Sequence, residues 1–183
     1  MIHHLIWLVK PPDLCYTVKK TKGGGGMVCA FTGHRPERLP WGADEQDARC
    51  AALKALLARE VRALLARGCT QFLCGMARGC DLYFAEAVLA EPGAALTAML
   101  PCPSQPDRWP QADRERYYRL LLRCSEVRLL EQTYSPGCML RRNRAMVDAA
   151  DALLTVFDGA EGGTAATIRY ARRLGREIIP LWL

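Results

Sequence analysis

The sequence predicts an α/β fold with a mostly parallel sheet of about six strands. Short apolar runs recur through residues 27–183, each the length of one buried strand. The segments between them place apolar residues at helical spacing. Gly or Pro stands at nearly every junction.

VCAFT at 28–32 is the first expected strand, followed by a loop rich in Gly, Pro and charge. Asp44 is expected to cap the first helix. Leu53, Leu56, Leu57, Val61, Leu64 and Leu65 form its apolar face, and Gly68 ends it. TQFLC at 70–74 is the second strand, leading through Gly75 to a helix near 81–90. ALTAML at 95–100 is the third strand, broken by Pro101 and Pro103. An Arg-rich helix is expected over about 107–124, then a fourth strand, VRLLE, at 127–131. Ser135-Pro136 is expected to start a helix running to about 149. ALLTVF at 152–157, a helix from Gly162-Gly163 to about 174, and a sixth strand at 177–183 complete the pattern.

A chain of 183 residues is about one domain's worth, with 50% apolar and 24% charged residues. That balance excludes disordered and fibrous classes. No run of 18 apolar residues occurs, which excludes a membrane-crossing helix in these residues. The net charge of +6 is uneven. Lys10, Lys19, Lys20 and Lys22 stand against Asp13 in the first 26 residues, so half the excess sits there. That segment ends in Gly23–Gly26 and is expected to lie outside the fold, as an upstream extension or an N-terminal arm. The mildly basic remainder fits anionic small ligands better than duplex nucleic acid.

Nine cysteines occur without a CxxC pair, and LIWLV at 5–9 is too short for a signal-peptide core. The thiols are expected to be reduced and mostly buried, in a cytoplasmic protein. No metal site is expected, since no histidine has ligand spacing to a Cys pair.

In parallel α/β sheets ligands bind beyond the carboxyl ends of the strands. After the first strand come Thr32, Gly33, His34 and Arg35, which are either a tight turn or donors for phosphate or carboxylate. After the second come Gly75, Gly79 and Asp81 at a helix start, an arrangement that suits an anion or simply turns the chain. Gln105 and Trp109 follow the third strand, as pocket lining or as a packed Pro-rich connection. Asn143 shares a stripe with Met139 and Met146 and needs partners from loop backbone or a ligand. Arg141, Arg142 and Arg144 beside it are expected to be solvated. After the fifth strand, Asp158, Gly162, Gly163 and Thr164 give the best single phosphate signal, though no Lys follows as in a Walker loop. No nucleophile stands out, and His34 is the one histidine outside the N-terminal segment.

FTGHRP at 31–36, GMARGCD at 75–81, Arg142-Asn143 with MVD at 146–148, and GGTAATI at 162–168 together resemble the YpsA-like family. That family belongs to the Rossmann-like SLOG superfamily, whose members include the LOG phosphoribohydrolases and the DNA-processing protein DprA. The resemblance covers about residues 27–183. It implies a three-layer Rossmann-like sandwich and a nucleotide or nucleotide-derived ligand, NAD- or ADP-ribose-like, with no further cofactor. Gly162, Gly163 and Thr164 would hold phosphate. Gly75, Gly79 and Asp81 would form a second ligand loop, and Thr32 to Arg35 would complete the cleft. It also implies a homo-oligomer.

The LOG hydrolases carry a PGGxGTxxE-type motif with an active-site glutamate. Here Thr167 stands at that glutamate's place and Asp158 where the proline-led loop begins. A hydroxyl cannot stabilise an oxocarbenium-like centre or activate water as a carboxylate does. The first expectation is therefore a nucleotide-binding sensor or regulator. The alternatives are an N-glycosidic nucleotide hydrolase using Asp81 or Glu86, and a DprA-like binder of single-stranded DNA.

Overall fold

A computed structural model of the chain describes residues 26–183. Apart from Gly26, the expectation for residues 1–26 falls outside the described residues, as does Cys15. The elements are β1 (Met27–Thr32), a single 3-10 turn (Pro36–Arg38), α1 (Ala48–Ala66), β2 (Cys69–Cys74), α2 (Cys80–Leu89), β3 (Ala95–Leu100), α3 (Gln111–Leu121), β4 (Glu126–Leu129), α4 (Cys138–Asp148), β5 (Ala152–Phe157), α5 (Gly163–Arg173) and β6 (Glu177–Trp182).

All six strands are parallel, in the order β4-β3-β2-β1-β5-β6. The order runs outward from β1 to β4, then restarts on the other side of β1. Because side chains alternate across a strand, each strand feeds two cores. Phe31, Phe72, Leu96 and Leu154 pack with α1, α2 and α3. Their neighbours Ala30, Leu73 and Leu153 pack with Met146 and Val147 of α4 and Ile168 and Ala171 of α5. The result is the expected three-layer sandwich. Phe31 and Phe84 stack at 4.3 Å in the first core. Truncating a fully buried residue such as Leu57 to Ala would cost about 2–5 kcal/mol.

Several boundaries differ from the sequence expectation, each for a local reason. Asp47, not Asp44, caps α1, accepting from the Arg49 N–H at 2.7 Å; Asp44 serves the preceding turn by accepting from Gln46. Pro110, extended at ψ 148°, delays α3 to Gln111. Gly137, not Ser135-Pro136, precedes α4, in the left-handed conformation at φ 82°.

Seven of the eight described cysteines are buried, and all eight are unbridged. Burial pushes the Cys29 and Cys80 thiols up to about 12, so they pack as neutral groups. Among the described residues no helix is long and apolar enough to cross a membrane.

Candidate functional site

The sheet's order reverses between β1 and β5, and the loops leaving these two strands turn to opposite faces. A crevice is thereby left at their carboxyl ends. A cleft of about 430 Å³ lies there. Its walls come from four segments. Thr32, Gly33, His34, Arg35, Glu37 and Arg38 follow β1, and Ala77 and Asp81 follow β2. Met139, Leu140, Arg142 and Asn143 belong to α4, and Gly162, Gly163, Thr164 and Ala166 open α5.

At Gly162 the backbone has φ 153° and ψ −164°, a region only glycine occupies readily. This residue caps α5 at the end of the loop that follows β5, and it aims the first N–H groups of the helix, which have no intrahelical acceptor, at the cleft. The Thr164 hydroxyl is already engaged, donating to the Gly33 carbonyl at 3.2 Å. What Thr164 offers a ligand is its backbone N–H.

Two predicted residues serve the walls rather than the opening. A side chain at Gly75 would overlap the Arg142 guanidinium, and Gly75 does not line the cleft. Gly79 lies under the loop after β1, where a Cβ would come 2.8 Å from the His34 carbonyl oxygen. That oxygen accepts from the Cys80 N–H at 3.1 Å. Glu86 lies elsewhere: it forms a two-toothed pair with Arg116 at 2.7 and 2.6 Å and does not line the cleft.

The expectation that Arg142 is solvated is overturned. Only 4% of it is exposed. Its Nη1 donates to the Gly75 carbonyl and, at 3.2 Å, to the Met99 carbonyl; its Nε donates to Asn143 Oδ1 at 2.8 Å. Its Nη2 has no partner among the described residues. The signal was present: Cys138, Arg142 and Met146 are spaced by four and share the buried stripe. Three arginines within four residues masked it. Asn143 is only half-buried, and its partners are side chains, not loop backbone. Its Nδ2 donates to Thr167 Oγ1 at 2.9 Å, which itself donates to the Gly163 carbonyl at 2.8 Å. Thr167 thus fastens α4 to α5.

Asp81 is buried in the cleft wall, with Oδ2 accepting from the Ala77 N–H at 3.0 Å. Burial raises its pKa, against the pull of Arg142, the Ala77 N–H and Arg35. Burial also lowers the pKa of His34, with Asp158 opposing and Arg38 assisting. His34 Nε2 faces Asp158 twice, 3.2 Å from its backbone N–H, which the neutral ring accepts, and 3.0 Å from its Oδ1, which the protonated ring would pair with. Asp158 stands behind the cleft. Its Oδ2 takes Arg38 Nη2 at 2.9 Å, and Arg38 Nη1 donates to the Glu161 carbonyl at 2.8 Å.

The charge ledger of the cleft is therefore short. Arg38 is committed to Asp158, and Glu37 to Arg78. Arg35, exposed and without a partner among the described residues, is the free cation of the lining. One further feature escaped sequence reasoning: buried Met76 adopts φ 55°. Gln105, expected to line a pocket or pack a connection, does both, since it lines a neighbouring cleft and its Nε2 donates to the Gly75 and Met76 carbonyls at 3.2 and 2.8 Å.

The model of the YspA SLOG family matches residues 29–174. The chain belongs to this family. A UPF0398 protein of Bacillus pumilus is 28% identical over 144 residues, covering 75% of this chain and 76% of the relative. A UPF0398 protein of Bacillus anthracis is 27% identical over 158 residues, covering 82% and 85%. Among solved structures, DNA processing protein A from Helicobacter pylori, described for its single-stranded DNA binding mode, superposes with a TM-score of 0.59 at 16% identity. DprA from Streptococcus pneumoniae gives 0.60 at 17%. Each alignment covers 85% of this chain, but the SLOG chain spans only 65% and 50% of those proteins. At that identity the likeness is one of fold.

Proposed function

We propose that the cleft binds a nucleotide-derived ligand of the NAD or ADP-ribose kind, and that the protein is a cytoplasmic sensor or regulator. Its phosphate sits on the first turn of α5 and on Arg35, and its ribose hydroxyls meet Asp81. One observation carries this reading. At the switch point of the sheet, unpaired helix N–H groups, a free guanidinium and a buried carboxylate share one cleft. Binding without turnover is the expected behaviour. Thr167 hydrogen-bonds Asn143 and Gly163 where a hydrolase would need a carboxylate, and Glu86 is held by Arg116 away from the cleft. That leaves Asp81 alone for the hydrolase alternative.

The test is a thermal-shift panel on the full chain with NAD, ADP-ribose and AMP. A ligand at 100 times its dissociation constant adds about 2.7 kcal/mol, roughly 5–10 °C for a protein of this size. Gly163→Asp separates binding from folding. Nothing lies within 4 Å of the Cβ it would add, and an acid at a helix start does not harm the helix, yet it repels phosphate. A shift lost in Gly163→Asp supports the reading. No shift with any nucleotide overturns it, and base release abolished by Asp81→Asn would establish the hydrolase.

The fold likeness to the Helicobacter pylori protein favours a second reading, in which the cleft grips the phosphates of single-stranded DNA. That reading requires oligonucleotide affinity that falls steeply as salt rises.

A further inference from the structure

A second cleft of about 540 Å³ adjoins the first, and Arg35, Glu37 and Met139 line both. Its own walls include Trp109, Tyr134, Arg108 and Gln105. We propose that this cleft continues the ligand site and takes the aromatic ring of a second nucleoside unit, with the linking phosphate on Arg35. The proposal rests on the nucleotide reading of the first cleft.

Trp109 is held by its neighbours before any ligand arrives, and the loop that carries Tyr134 is pinned. Trp109 meets Tyr117 edge-on at 5.3 Å. Its loop is anchored by Gln105, whose Nε2 holds two carbonyls of the loop after β2. Those two acceptors fix the amide's orientation, which leaves Gln105 Oε1 as a buried acceptor without a donor. Tyr134 is 64% exposed, a large ring on the surface with no ring partner among the described residues. Its loop is nonetheless pinned. Ser135 Oγ donates to Glu131, and Arg141 bonds Glu131 Oε1 at 2.7 Å and the Pro136 carbonyl at 2.9 Å. Trp109 offers a fixed aromatic face and Tyr134 an exposed one, and two aromatic faces at a cleft bind a planar ring by stacking.

The charges fit a phosphate link between two such units. Arg35 and Arg108 have no protein partners among the described residues. Arg78 is spent on Asp113 and Glu37, at 2.7 and 3.1 Å. Glu37 and Asp107 are the carboxylates of this lining, and with Asp113 on Arg78 they leave no net excess of charge, so the cleft offers two unpaired guanidiniums, Arg35 and Arg108, rather than a positive field. That balance suits a diester or diphosphate rather than a long polyanion.

Calorimetry on the full chain tests this with AMP, NAD, ADP-ribose, the dinucleotide pdTdT and a ten-residue oligo-dT. At least one two-unit ligand should bind about tenfold tighter than AMP, as one stacked ring is worth. Tyr134→Ala and Arg108→Ala should each remove most of that advantage and leave AMP unchanged, and Tyr134→Phe should keep it. A gain shared by pdTdT and oligo-dT and lost at high salt identifies a strand as the source; a gain with NAD at all salt concentrations, absent from ADP-ribose, which has no second aromatic ring, identifies a small molecule. The proposal is overturned if AMP binds and two-unit ligands bind no tighter. It is also overturned if the advantage survives both alanine variants, or if Tyr134→Ala weakens AMP itself. No binding by any probe removes the nucleotide reading, and this one with it.

Discussion

Arg142 and Arg116 are both withdrawn from solvent, and they are satisfied in opposite ways. Arg116, between α2 and α3, meets carboxylates on every side. Glu86 takes two of its nitrogens, Glu45 takes the third at 2.5 Å, and the Tyr83 ring lies 5.3 Å from its Cζ. Burial opposes its charge, but Glu86 and Glu45 more than offset that and hold it above the usual arginine range. Arg142, at the cleft, bonds carbonyls and an amide, and burial holds it below its usual range with Asp81 opposing. Carbonyl oxygens satisfy donors without cancelling charge. The first arginine is therefore a closed structural unit, while the second is hydrogen-bonded to neutral groups and shares the cleft wall with one buried carboxylate, Asp81.

The sharpest way to break this contrast is Arg142→Met. The Gly75 and Met99 carbonyls and Asn143 Oδ1 lose a charged donor, which should cost roughly 2–4 kcal/mol, read by urea unfolding. Nucleotide binding should vanish with it. Next is Gly75→Ala, which forces the guanidinium from its seat and should cost roughly 1–3 kcal/mol. In the double variant with Arg142→Met that second loss should largely disappear, a non-additivity that directly reports the contact. Arg116→Ala should cost about 1–2 kcal/mol and leave nucleotide affinity unchanged; a loss of affinity there would erase the distinction. The smallest effect concerns His34. Its folded pKa is lowered, so the unfolded state takes up its proton first as pH falls. Stability should therefore rise with pH across the window below the ordinary value of 6.5 and flatten above it. Melting temperatures of the wild type and His34→Gln at pH 5.5 and 7.5 would show that slope and its removal.

Much of this architecture was legible in the sequence. β3 and β5 match their apolar runs at both ends, because a buried parallel strand reads as an uninterrupted hydrophobic stretch. Helix starts were less legible. Asp44 and Asp47 are equally good caps on paper, and the structure gives Asp44 to the Gln46 N–H of the preceding turn and Asp47 to the Arg49 N–H of the helix. At the site, the segments that converge were visible as motifs, since each follows a strand. The work assigned to individual residues was not. Gly75 and Gly79 are the glycines of a phosphate loop by sequence, yet one accommodates a guanidinium and the other a carbonyl. Distinguishing those uses requires knowing which chain segment lies opposite, and the partner of Gly75 is 67 positions away.

The seat that Arg142 takes over Gly75 also binds the two positions in inheritance. A side chain at 75 is compatible only with a shorter residue at 142, and the guanidinium is compatible only with glycine. Either single change passes through a less stable protein, so neighbouring lineages should hold both residues or neither. Substitutions at these two positions across relatives would then appear as a pair, a record of the contact readable without any structure.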